Sequence, residues 1–84
     1  MDITVRSSRA KALLNDPTYS DTVEELKAEQ VGIFLNQGST VEERESAHEV
    51  IRALAKIEAR LNSYITDEKL LKKQKDQHRG RGND

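Results

Sequence analysis

The chain has no cysteine and no tryptophan, and its 84 residues include one proline, one phenylalanine and two tyrosines. Without cysteine, disulfides and thiolate metal sites are excluded, and the composition fits a reducing compartment. The four glycines form no phosphate-binding loop, and no nucleophile is paired with a base in a recognisable catalytic pattern. No apolar run approaches the roughly 20 residues needed to span a bilayer. The opening Met1-Asp2-Ile3-Thr4-Val5-Arg6 lacks the basic start and long apolar core of a secretory signal. The expectation is a cytoplasmic origin, no membrane contact, no enzymatic activity, no cofactor and no small-molecule substrate.

What is present is charge. Charged residues make up 35% of the chain, hydrophobic residues 35% and aromatic residues 4%. So short a chain buries a small share of its surface, and a core this thin calls for an oligomer or a bound partner. Net charge is −1 but unevenly spread: residues 15–50 hold nine acids and two bases, and residues 51–84 hold nine bases and five acids. An acidic middle and a basic end make a dipolar molecule suited to head-to-tail or antiparallel contacts.

The pattern predicts an all-α fold: an antiparallel helical hairpin with a short N-terminal helix and a disordered basic C-terminal tail. One helical domain covers residues 1–73, with helices at about 7–14, 17–35 and 41–65, the last extending as far as 73. The first helix uses good formers around Ala10-Lys11-Ala12-Leu13-Leu14 and stops before Pro17. Asp16-Pro17 starts the second, with Asp as N-cap and Pro at the first helical position. Its inward stripe is Tyr19, Val23, Leu26, Gln30 and Ile33, with both tyrosine hydroxyls, Tyr19 and Tyr64, near water. Gly38 suits a left-handed cap after Asn36-Gln37. Ser39 with Glu42, or Thr40 with Glu43, would form a capping box opening the third helix.

The third helix carries the clearest signal. Ala47, Val50, Leu54, Ile57, Leu61 and Tyr64 fall at alternating spacings of three and four, a heptad seam broadened by Ile51 and Ile65. Pairing across the hairpin sets Leu26 near Val50 and Val23 near Leu54. The seam outruns its partner helix, so Leu61, Tyr64 and Ile65 need cover from helix one or from a second copy. Leu54, Ile57, Leu61, Tyr64 and Ile65 are therefore the candidate partner-binding residues.

Two further constellations stand out. Glu45-x-x-His48 places two ligand types on one helix face, as in di-iron carboxylate bundles. Both residue types are also ordinary on wet helix faces, and no metal site is assigned. Lys72, Lys73, Lys75, Arg79 and Arg81 form a basic end able to contact phosphates, although no aromatic residue is interleaved to stack on bases. A solvated charged tail explains the same residues.

At Ala10-Lys11-Ala12-Leu13-Leu14-Asn15-Asp16-Pro17 the chain resembles a group of small tailed-phage proteins encoded among head and DNA-packaging genes. The shared plan is a short helix ending in Leu-Leu-x-Asp-Pro, an acidic amphipathic helix, a polar loop and a long helix opened by an Arg-Glu step, here Arg44-Glu45. The likeness spans roughly residues 8–65. Members often carry a tryptophan late in helix two; Phe34 stands near that place here. The resemblance implies a virion or morphogenesis role in the host cytoplasm or the virion, with self or a phage head or packaging protein as partner. It transfers no catalytic residue. Two other functions fit the residues: a nucleic-acid-binding packaging accessory, similar to a small terminase, acting through the basic end, and a small phage inhibitor of a host protein acting through the acidic middle.

Overall fold

A computed structural model describes the backbone of residues 2–82 and the side chains of residues 2–76. It consists of α1 (Ile3–Leu14), α2 (Pro17–Leu35) and α3 (Val41–Gly82). No strand occurs among the described residues.

Capping explains each boundary. α1 begins four residues before the sequence reading placed it, because Asp2 is an N-cap whose carboxylate accepts from the Thr4 N–H at 3.1 Å. The weak formers Ile3, Thr4 and Val5 ride on that cap. Asp16 caps α2 through the N–H groups of Thr18 at 2.8 Å and Tyr19 at 3.2 Å, with Pro17 following it. Of the two possible capping boxes, Thr40 and Glu43 form the one observed: the Thr40 N–H donates to Glu43 Oε1 at 3.0 Å and the Glu43 N–H donates to Thr40 Oγ1 at 3.1 Å. These bonds hold the Glu43 carboxyl below its ordinary value.

The α2–α3 connection corrects one expectation. Gly38 is not left-handed, since no described glycine has positive φ. Side chains close the turn instead. Asn36 Oδ1 accepts from the Gly38 N–H at 2.8 Å, and Ser39 Oγ donates to the Ile33 carbonyl at 2.7 Å. An Asx turn replaces the glycine cap.

α3 is 42 residues long, about 63 Å of helix, and sets the long axis of a 68 × 24 × 19 Å molecule. α2 packs antiparallel on its N-terminal half, with Val23 and Ala47 buried. Lys27 Nζ reaches Glu58 at 2.8 Å, which raises the lysine pKa. α1 packs on the C-terminal half of α3 and barely meets α2. Its direction follows from Ser7 bonding to Glu68. Leu14 must lie close to Pro17, near residue 61, so Ser7 can reach residue 68 only if α1 also runs antiparallel to α3. The two short helices lie end to end along one long one.

The α3 backbone is helical through Gly82; the disorder expected from Gln74 onward is not shown, and Asn83 and Asp84 lie outside the described residues. Residues 72–77 lack apolar groups, which removes packing, yet Lys and Gln are good helix formers and extending a helix needs no new nucleus.

Candidate interaction surface

The hydrophobic core is minimal: Ala10, Val23 and Ala47 are the buried hydrophobic residues among those described. Eleven large hydrophobic side chains are exposed, including Leu35 at 71%, Val41 at 57%, Leu70 at 53% and Ile57 at 49%. Total accessible surface is 6686 Å². A compact monomer of 9.5 kDa would expose about 5,000 Å², so the chain carries about a third more.

The seam on α3 is only partly open. Leu54, Leu61, Tyr64 and Ile65 are half-buried, and Ile57 is exposed. α1 lies over the stretch from Leu61 onward, so of the two covers considered for it, helix one is the one the structure provides. The antiparallel register puts Leu14 level with Leu61 and Ala10 level with Ile65. The Arg6 guanidinium sits 4.8 Å from the Tyr64 ring centroid, a cation–π contact.

The α1–α3 interface is polar at its centre, which the sequence reading missed. Ser7 is fully buried and Glu68 is 6% exposed. Ser7 Oγ donates to Glu68 Oε1 at 3.1 Å, and Lys11 and Lys72 approach the same oxygen at 3.4 and 3.8 Å. Burial pushes the Glu68 carboxyl up, but the Ser7 hydrogen bond and the two ammonium groups outweigh it, and its pKa lies below the ordinary value. The signal was available: Ile3, Ser7, Ala10 and Leu14 repeat at four, three and four, as do Leu61, Ile65, Glu68 and Lys72. A search restricted to apolar residues passes over Ser7 and Glu68.

Tyr19 also departs from expectation. Its hydroxyl is buried and has no hydrogen-bond partner.

Two hollows flank the far end of the hairpin. On one side Phe34, Val41, Arg44, Glu45 and His48 contribute to an open hollow of about 540 Å³. There the Phe34 and His48 rings stand 6.4 Å apart at 39°. On the other, Ile33, Gln30, Glu42, Ser46 and Ala47 border a shallower one of about 310 Å³. Glu45 and His48 share the first hollow, but no group of three His, Asp or Glu able to hold a metal ion occurs among the described residues.

Lys72, Lys73 and Lys75 are exposed on α3, Lys72 level with the start of α1 and 3.8 Å from Glu68. Arg79 and Arg81 lie outside the residues whose side chains are described. No described helix is long and apolar enough to cross a membrane. Comparison with known proteins found no matching family model, no matching curated protein and no matching solved structure.

Proposed function

We propose that this chain is a non-enzymatic assembly protein that works by binding other protein chains, its own copies included, through apolar side chains its fold leaves outside. The observation that carries this reading is that, among the described residues, three hydrophobic residues are buried while eleven large ones are exposed. Exposed apolar side chains that gather on one face offer an interaction site. The setting we assign, from the resemblance of residues 8–65, is tailed-phage head morphogenesis or DNA packaging, in the host cytoplasm or the virion. Ile57 is the exposed part of the α3 seam; Leu54, Leu61, Tyr64 and Ile65 are half-buried, the last three along the stretch that α1 lies over.

Light scattering of the full chain, alone and mixed with phage portal, shell and terminase proteins, tests this. The expected result is a defined oligomer or a stoichiometric complex that is lost when exposed apolar positions are charged. A folded monomer that joins none of these proteins overturns it.

A second reading, nucleic-acid contact through Lys72, Lys73, Lys75, Arg79 and Arg81, draws support from the exposure of the three lysines on α3. Such binding falls steeply with salt and disappears on deleting residues 72–84.

A further inference from the structure

We propose that a second copy of this chain packs antiparallel, across a two-fold axis at Ala53, on the long face that carries Leu13, Leu26, Ile33 and Ile57. This rests on the reading above that the chain works by helix-mediated association, and it names the surface and the occupant.

Helical phase defines the face. Ile33 borders the shallower hollow together with Ser46. Leu26 lies two turns before Ile33 on α2, hence on the same side. On α3, residues 53, 57, 60 and 64 follow Ser46 by 7, 11, 14 and 18 residues, all near whole numbers of turns. Tyr64 marks that side at the other end, because Arg6 of α1 stacks over it. Leu13 lies two turns after Arg6, on the same flank of α1. Leu13, Leu26, Ile33 and Ile57 are all exposed, and together they run most of the length over which α3 has partners.

This face is complementary to itself. By the hairpin register Ile33 is level with about residue 44 of α3 and Leu26 with about residue 51. By the Ser7–Glu68 register Leu13 is level with about residue 62. Rotation about an axis at Ala53 superposes level 44 on level 62 and level 51 on level 55. Leu13 of one copy then enters the hollow beside Ile33 of the other, and Leu26 meets Ile57. The alanine at the axis permits close approach of the two long helices.

The charges at the edge of the face follow the same symmetry. Glu42 falls opposite Tyr64, over which Arg6 sits, and Glu49 opposite Lys56. Asp67 falls opposite the uncharged Ser39. All of these side chains are exposed or at the surface of their helix. A parallel pairing would set acid on acid at one end and base on base at the other. Interfaces between identical copies are most often of this two-fold kind.

The absence of native cysteine allows a direct test. Leu13 and Ile33 of one chain are separated by about 18 residues of α3, roughly 27 Å, whereas a disulfide needs Cα atoms within about 7 Å. Leu13→Cys and Ile33→Cys chains are prepared separately, mixed and oxidised, with the mass of the unoxidised samples measured by light scattering. The expected result is a crosslinked dimer in the mixture, at least tenfold above either variant alone, abolished by adding Leu26→Asp and Ile57→Asp. Crosslinking of Leu13→Cys with itself, or a dimer by scattering that gives no mixed crosslink, overturns the antiparallel face and leaves helix-mediated association standing. A monomer by scattering overturns the self-pairing. If that monomer also fails to join any phage head or packaging protein, the broader reading fails with it.

Discussion

Ser7 Oγ donates to Glu68 Oε1 at 3.1 Å, joining the first helix to the last across 61 residues of chain. Ala10 is the one buried hydrophobic residue of α1, and Arg6 and Lys11 add contacts to Tyr64 and Glu68. The docking of α1 is therefore partly electrostatic, and its behaviour is predictable from charge.

The Glu68 pKa lies below the ordinary carboxylate value of 4.5. A depressed acid contributes stability that is fully present above the unfolded pKa and is lost as pH falls through the folded value. Docking of α1 should thus be unchanged from pH 8 to pH 5 and weaken below about pH 4. Amide exchange read at residues 5–12 should show protection falling there before protection of α2 does. Glu68→Gln should remove this acid step, and a pH profile identical to that of the unchanged chain would refute the assignment.

Tyr19→Phe should stabilise the fold. The hydroxyl is buried without a partner, and an unsatisfied buried polar group costs about 1–3 kcal/mol. Removing it while keeping the ring should raise the melting temperature by several degrees, at about 4–8 °C per kcal/mol for a domain of this size. A fall in melting temperature would mean that the hydroxyl has a partner in solution.

Gly32→Ala separates two roles for a glycine inside a helix. A Cβ built at Gly32 meets nothing within 4 Å, and the residue has no positive φ. Alanine should add up to about 1 kcal/mol of stability by helix propensity alone. Chemical denaturation gives the value, and mass in solution shows whether association persists. Greater monomer stability with lost association would make Gly32 a point of close approach for a partner.

The helices were legible in the sequence wherever a cap or a breaker is written into it. Asp16-Pro17 marked the start of α2, two overlapping capping boxes bracketed the start of α3, and the three–four repeat from Ala47 to Tyr64 identified the packing face of α3. The start of α1 was missed because its propensity is poor and one carboxylate, that of Asp2, supplies the cap. The cover over Leu61 and Ile65 was left between two candidates because the α1 stripe reads Ile-Ser-Ala-Leu, too polar to register as a seam. Glu68 was overlooked for the same reason: a buried acid is visible only once its hydroxyl and ammonium partners are placed. Beyond residue 73 composition reports the lack of packing and is silent on the continuity of a helix already formed.

The central claim is that association completes a core the single chain leaves open, and thermal unfolding across a concentration series tests it most directly. Binding that favours the folded state makes the melting temperature depend on concentration. Followed by circular dichroism from about micromolar to millimolar chain, with mass measured on the same samples, the melting temperature should climb with concentration and the mass should exceed 9.5 kDa. A melting temperature independent of concentration, with the mass held at that of one chain, would contradict the account.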